Sequence, residues 1–428
     1  MADAKRERRE EAQPADPAAA AAALPASVAA VLGNDDLLAE ILLRLGSTAW
    51  LLRAALVRRR WLRVASATAF LARFRARHPP RALGIMAFGI GIAPVLYPAR
   101  HPPELAAAFA RAAASLGPPR GYDKLMDYRG GRILIGLCDW GDGDGDDDDM
   151  PLHGGQPTER RVRSLVRAAP DVVLPPLPRS QCFPGDHTPF LDRCLFLLDD
   201  DSGGGASCLY LLIRTDKVRV RAGFSFLRSG VWGAEQSAVT AHHNLFGDIL
   251  VSGTKVYMMT TGGCILVLDL EARSFSTINL PDGVGRYPPA GMPHLRMTLR
   301  FSRAQGPGVY LVEAAWFQLR VWRCDGVKQW VLVRTVAVRE ACDHLDVQAW
   351  EPGDGQGPPV LVLGVGDNAE LVVLQLVASE IICCMDLANG VVENVLPGRR
   401  LYRGSPVHPI AMVWPPVFPV LDNTSEEP

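Results

Sequence analysis

The sequence predicts a chain of several domains in the α+β class, a small all-α unit followed by a long, mostly antiparallel β region. Three observations predict it. Apolar residues recur with a period of 3.6 up to His78-Pro79-Pro80 and with a period of 2 after it. Gly (40) and Pro (34) make up 74 of 428 residues, about 17% against an average nearer 12%, which suits many short strands joined by turns. An apolar run ending in Asp, then a turn, then a second apolar run recurs along the β region.

The elements follow in order. Residues 1–23 are charged and then Ala-rich, a lead expected to be disordered. Lys5-Arg6 and Arg8-Arg9 are interleaved with glutamates, which reads as a solvated tail rather than an import signal. Residues 24–78 read as a helical domain. Asn34, Asp35 and Asp36 supply a cap and negative charge at a helix start, Leu37, Leu38, Ile41, Leu42 and Leu45 recur at helical spacing, and Gly46 stops the element. Further helices carry Leu51, Leu52, Ala55 and Leu56, then Trp61, Leu62 and Val64, then Phe70, Leu71 and Phe74. A unit of fewer than 60 residues buries little surface, so part of this leucine-rich surface is expected to be completed by a partner.

From 79 to 418 the chain reads as strands, interrupted early by a helix over Glu104–Leu116. Strands are expected at Leu83–Ile90, Arg132–Leu137, Arg161–Val166, Cys194–Leu198, Leu209–Thr215, Lys217–Phe226, Lys255–Thr260 and Cys264–Leu270. The series continues at Val309–Val312, Phe317–Trp322, Trp330–Val338, Val360–Leu363, Leu371–Val377 and Ile381–Leu387. The recurring aspartates are Asp139, Asp216, Asp269, Asp325 and Asp386, and the last four are separated by 53, 56 and 61 residues. Periods of 40 to 60 residues with about four strands each are the signature of propeller blades. Five copies plus the Leu83–Ile90 strands imply about six blades. Residues 139–149 form an acidic loop insertion and 419–428 a flexible tail. Trp232, Trp316, Trp322, Trp330 and Trp350 fall in or beside strands and are expected to pack between blades, with a few left to face a binding surface.

Charge and composition exclude several function classes. Lys plus Arg total 45 and Asp plus Glu 46, a net charge of −1 that argues against binding nucleic acid or an anionic membrane with the whole surface. The balance is uneven: residues 1–81 hold 14 basic and 8 acidic residues, and from Ala49 to Arg81 there are nine arginines and no acid. Such a basic face suits an acidic partner or a solvated helix face. No run of about 18 apolar residues suggests a membrane span. Nine cysteines without a C-x-x-C pair suggest free thiols in cytoplasm or nucleus.

No catalytic, cofactor or metal residues are expected. Asp142, Asp144 and Asp146 imitate the start of a calcium loop, but Asp147 stands where Gly belongs and His153 where Glu belongs. Gly364, Gly366 and Ala369 fit G-x-G-x-x-A, yet the following Leu371–Val377 reads as a strand, so Gly366-Asp367-Asn368 is a hairpin turn and not a phosphate cradle. His242-His243 and Cys383-Cys384 lack the spaced third ligand of a metal site.

The helical stretch Asn34-Asp35-Asp36-Leu37-Leu38-Ala39-Glu40-Ile41-Leu42-Leu43-Arg44-Leu45, with Leu51-Leu52-Arg53-Ala54-Ala55-Leu56-Val57, Arg60-Trp61-Leu62 and Phe70-Leu71, resembles an F-box. The following Phe74-to-Gly84 stretch, Gly364–Glu370 and Ile381–Cys384 resemble the grass-expanded branch of plant F-box proteins with a C-terminal propeller-like domain. The resemblance implies a non-catalytic substrate-recognition adaptor of an SCF-type E3 ubiquitin ligase. It would bind a Skp-type adaptor, and through it a cullin-RING ligase, with the F-box, and hold an unknown target with the propeller. The positions matching the family's adaptor contacts are Leu32, Leu37, Leu38, Ile41, Leu42, Leu45, Leu52, Val57 and Trp61. Three positions depart from the family: Gly33 for Pro, Arg58 for Cys and Ala69 for Pro. Two other readings stand beside this one. One is a propeller interaction module whose F-box no longer engages a ligase. The other is a propeller enzyme or small-ligand sensor, which needs polar side chains converging in the central channel.

Overall fold

The computed structural model of the chain describes residues 31–46, 48–78, 82–89, 92–98, 103–116, 124–137, 157–165, 170–183, 192–198, 206–241, 243–284, 298–304, 306, 308–325, 329–345, 347–352, 357–397 and 407–411. The expected disordered lead, the acidic insertion at 139–149 and the tail at 419–428 lie outside these residues, and so does His242. The described chain falls into two compact units, helical up to residue 78 and mostly β from residue 82.

The helical unit holds α1 (Asp35–Leu43), α2 (Thr48–Ala55), α3 (Arg59–Ser66) and α4 (Thr68–Arg77). The start of α1 follows from its sequence: the Asn34 carboxamide oxygen accepts from the backbone N–H of Asp36 at 2.9 Å and of Leu37 at 3.2 Å, with Asp35 and Asp36 in the positive first turn. The core gathers Leu38, Leu42, Leu43, Leu51, Ala55, Ala65, Phe70 and Phe74. At the end of α4 the His78 ring sits 4.6 Å from the Phe74 ring, and its Nε2 is 2.9 Å from the Leu43 carbonyl oxygen.

The β unit is a six-bladed antiparallel propeller. Its first blade is β3 (Lys124–Arg129), β4 (Arg132–Leu137), β5 (Glu159–Ser164) and the short β6 (Val172–Val173). The second is β7 (Asp192–Leu197), β8 (Cys208–Thr215) and β9 (Arg219–Arg228), whose outer neighbour is split into β10 (Val231–Trp232) and β11 (Gln236–Ala241). The third runs β12 (Leu245–Ser252), β13 (Lys255–Thr260), β14 (Cys264–Asp269), β15 (Ser274–Asn279). The fourth runs β16 (Leu299–Arg303), β17 (Val309–Ala315), β18 (Gln318–Cys324), β19 (Trp330–Ala337), and the one-turn α6 (Val338–Ala341) follows it. The fifth runs β20 (Val360–Val365), β21 (Leu371–Leu376), β22 (Ile381–Asp386), β23 (Val391–Pro397). The closing blade joins the two ends of the unit: β24 (Val407–Ala411) pairs antiparallel with β1 (Ala82–Gly89), which pairs with β2 (Ile92–Pro98), and α5 (Pro103–Leu116) comes next in the chain.

The pleat explains the packing. In β14, Ile265 and Val267 point into the cluster shared with the fourth blade, while Leu266 and Leu268 point into the one shared with the second. In β21, Val372, Leu374 and Leu376 face one neighbour, Leu371 and Val373 the other. Six such clusters lie between six blades, so the ring is closed by packing as well as by the β24–β1 ladder. Gly364 is where β20 meets the closing strand: a Cβ there would lie 1.8 Å from the Val407 carbonyl oxygen. This close approach accounts for that glycine. The neighbouring Asp367–Ala369 forms a short 3-10 turn joining β20 to β21, with Asn368 at φ 57°.

The recurring aspartate proves to be turn chemistry. Asp216, Asp269 and Asp386 each accept two backbone N–H bonds from residues two and three positions on, at 2.7–3.2 Å. The copies are not equivalent, however. Asp216 follows the second strand of its blade, whereas Asp269 and Asp386 end the third and Asp325 follows it. The 53-residue spacing therefore joins two different turns and is corrected as a blade period.

Candidate adaptor-docking surface and propeller channel

Helix α1 carries two apolar stripes, each made of residues four apart. Leu38 and Leu42 point inward and are 0% and 1% exposed; Leu37 and Ile41 point outward and are 45% and 38% exposed. Leu38 and Leu42 are thus core residues, a correction of their expected place on a contact surface. Two adjacent i, i+4 pairs of the same chemistry give the sequence no way to choose which faces out. Leu32, Leu45, Leu52 and Trp61 are half-buried, and Val57 in the turn after α2 is 60% exposed. Three further exposed apolar residues were not among the expected contacts: Val31, Trp50 on α2 and Leu56 beside Val57. The sequence carried Leu56 on this helix, but the helix ends at Ala55 and Leu56 is exposed with Val57 in the turn after it.

Charge surrounds these residues. Arg60 bonds Asp35 at 2.7 Å and donates to the Gly33 carbonyl, and Arg73 pairs with Glu40, so two arginines of α3 and α4 brace α1. The Arg53 guanidinium lies 4.7 Å from the Trp50 ring centroid. Arg58 caps α3 in extended conformation without a side-chain bond, and Ala69 is exposed in the first turn of α4.

In the propeller, polar side chains converge from the inner strands. Arg303 at the end of β16 bonds the Val251 carbonyl through Nε at 3.0 Å, the Asp127 carboxylate through Nη2 at 3.4 Å, and Asp367 through Nη1 at 3.4 Å. One side chain of the fourth blade so reaches the first, third and fifth. Asp127 also accepts from the backbone N–H of Leu197 at 2.8 Å and of Tyr128 at 2.9 Å. Burial raises its pKa, opposed mainly by Arg303. Ser302 donates to the Gly366 carbonyl at 2.7 Å and accepts from Ala369 N–H at 2.8 Å. His408 on β24 is held neutral: burial lowers its pKa to about 4, against the pull of Asp248 and with the help of Arg303 and Arg300. Arg303, Asp127 and Ser302 are thus bonded to neighbouring blades, the arrangement of an internal brace. Among the described residues no group of three or more His, Cys, Asp or Glu is placed to hold a metal ion.

Of the five tryptophans near strands, Trp232, Trp322, Trp330 and Trp350 pack against inter-blade clusters. Trp316, in the β17–β18 turn at φ 56°, is 57% exposed.

Residues 124–418 match the family described as F-box protein AT5G49610-like, beta-propeller. No curated protein matches the chain. Among solved structures, the Cps50 (Swd1) β-propeller domain of Myceliophteria thermophila aligns at 10% identity and a TM-score of 0.33, covering 75% of this chain and 90% of that one. Hsv2 of Kluyveromyces lactis aligns at 10% identity and a TM-score of 0.30, covering 64% and 63%. Cobalt-substituted ACO of Synechocystis aligns at 9% identity and a TM-score of 0.31, covering 47% and 48%, so the chain spans about half the length of that protein. At such TM-scores none of these likenesses bears on what this chain binds.

Proposed function

This chain belongs to the AT5G49610-like F-box proteins with a β-propeller, and on that premise we propose that it is the substrate-recognition adaptor of a plant SCF-type ubiquitin ligase, of the grass-expanded branch, working in cytoplasm or nucleus. The helical unit docks a Skp-type adaptor, and through it a cullin-RING ligase, while the propeller holds the target. No acid, base or nucleophile of its own is needed, because tethering raises the effective concentration of the target at the ligase.

The observation that carries the reading is the outward Leu37–Ile41 stripe. Two large apolar side chains on one exposed face of a short helix, backed by a complete core on the other, are surface that a partner buries. With Trp50, Leu56 and Val57 nearby in sequence, it suits an interface on the order of 1,200–2,000 Å² in total. The exposed arginines of α2 to α4 favour an acidic partner and act on association rate more than on residence time.

The test is binding of the full chain to a purified Skp-type adaptor. Leu37→Asp with Ile41→Asp places two charges in the buried centre of the proposed contact and leaves Leu38 and Leu42 in the core, so affinity should fall at least 100-fold with far-UV circular dichroism unchanged. Doubling the salt should slow association without changing dissociation comparably. An affinity within twofold of wild type for the double variant overturns the reading and leaves a propeller interaction module with a silent F-box.

A further inference from the structure

The segment after β6 reads Leu174-Pro175-Pro176-Leu177-Pro178-Arg179-Ser180-Gln181-Cys182-Phe183. Three prolines fix their own φ and restrict the residue before each, so Leu174–Pro178 is extended polyproline backbone by covalent constraint, with three residues per turn. Leu174 and Leu177, one turn apart, share an edge that packs into the cluster containing Tyr210, Leu227 and Trp232. The Trp232 indole Nε1 donates to the Pro175 carbonyl at 3.4 Å and its ring meets Tyr210 edge-on at 6.1 Å. An aromatic groove with a Trp N–H aimed at a carbonyl of the ridge is how proline-rich ligands are generally gripped. At the far end, the Glu235 carboxylate accepts from Ser180 Oγ at 2.7 Å and from the backbone N–H groups of Gln181 at 2.5 Å and Cys182 at 3.0 Å.

The fold is locally modified to make this grip. The outer strand of the second blade breaks between Trp232 and Gln236, which releases Glu235 from the ladder. Beneath it lies Gly223, where a Cβ would come within 2.6 Å of Glu235 Oε1.

We propose that this groove, bounded by Trp232, Tyr210 and Glu235, is a binding site for proline-rich extended segments. The chain's own Leu174–Cys182 segment fills it as resident occupant, and a proline-rich stretch of a target protein binds by replacing it. The occupant chemistry is read from the resident: a Leu-Pro-x-Leu-Pro ridge followed by a hydroxyl and two backbone N–H groups that Glu235 binds. The proposal rests on the propeller being the target-holding half. A tethered resident masks its groove, since apparent affinity falls with the fraction of molecules in which the groove is open. Loosening the resident should therefore reveal the site.

The probe is a fluorescein-labelled peptide of residues 173–183 with Ser replacing its Cys, read by anisotropy against the full chain without adaptor. Leu177→Ser weakens the resident alone, and should bind the peptide at least tenfold tighter than wild type. Adding Trp232→Ala should abolish that gain. In wild type, saturating peptide should speed thiol labelling of Cys182, followed by mass spectrometry, several-fold. A folded Leu177→Ser chain that binds no tighter, or a gain that survives Trp232→Ala, overturns the proposal. If Leu177→Ser does not fold, Cys182 labelling in wild type decides: acceleration supports the exchange, and an unchanged rate overturns it. Adaptor binding is measured separately, so a chain that binds adaptor but not peptide loses this proposal alone.

Discussion

Replacing Arg303 with Met should destabilise the propeller by about 3–5 kcal/mol, the cost of breaking a buried ion pair by deleting one partner. Asp127 is 7% exposed and would keep its two backbone donors and the charge of Arg129 but lose the bonded Arg303 guanidinium, while the Val251 carbonyl and Asp367 lose a donor in the same step. Unfolding entropy of about 2.1 cal/mol/K per residue over a unit of some 330 residues converts this to a fall of roughly 4–7 °C in thermal midpoint. Arg303→Lys should recover little, since one ammonium cannot serve a carbonyl and two carboxylates lying in different directions. A midpoint within 1 °C of wild type for Arg303→Met would show that the channel network does not brace the ring.

The same network explains what the sequence concealed. The strands legible from alternation are largely the middle pairs, such as β13 with β14 and β21 with β22, because both their faces are buried and their apolar runs are nearly continuous. Many of the unexpected ones are inner or outer strands. Inner strands β3, β12, β16 and β24 carry Asp127, Asp248, Ser302, Arg303 and His408, and these polar residues interrupt the pattern. Outer strand β15, Ser-Phe-Ser-Thr-Ile-Asn, is mostly exposed and reads as loop. On α1 the helix, its cap and its amphipathic spacing were legible, but the division between Leu38–Leu42 inside and Leu37–Ile41 outside was not. That choice depends on Phe70 and Phe74, which follow some thirty residues later and fill the inner side. The Glu235 latch was invisible for a similar reason: a glutamate, a glycine twelve residues earlier and a serine fifty-five residues earlier have no sequence relation until the blade brings them together.

Acidification should loosen the propeller well above the pH at which carboxylates ordinarily protonate, and His408 should be the principal cause. An unfolded histidine has a pKa near 6.5, and the folded one is lowered to about 4. Between these values the unfolded chain binds the extra proton, so stability rises with pH and the histidine's contribution is lost as pH falls from 6.5 through 4. At pH 5 the loss amounts to about 2 kcal/mol relative to pH 7.5, by linkage over that window. The charged groups acting on it are Asp248 on β12 and Arg300 and Arg303 on β16; protonation there would add a third cation beside two arginines and one carboxylate. Asp127 works in the opposite sense, because its raised pKa lets the folded state take up a proton earlier than the unfolded state does. The histidine effect therefore appears most cleanly in its upper range, between pH 6.5 and 5. Thermal midpoints of wild type and His408→Gln, measured at pH 7.5 and 5, isolate it: wild type should lose about 3 °C more than the variant on acidification, by the same entropy scaling. Equal losses in the two proteins would mean that His408 takes up its proton in place, and that the closing strand is held by its β1 ladder and its apolar neighbours alone.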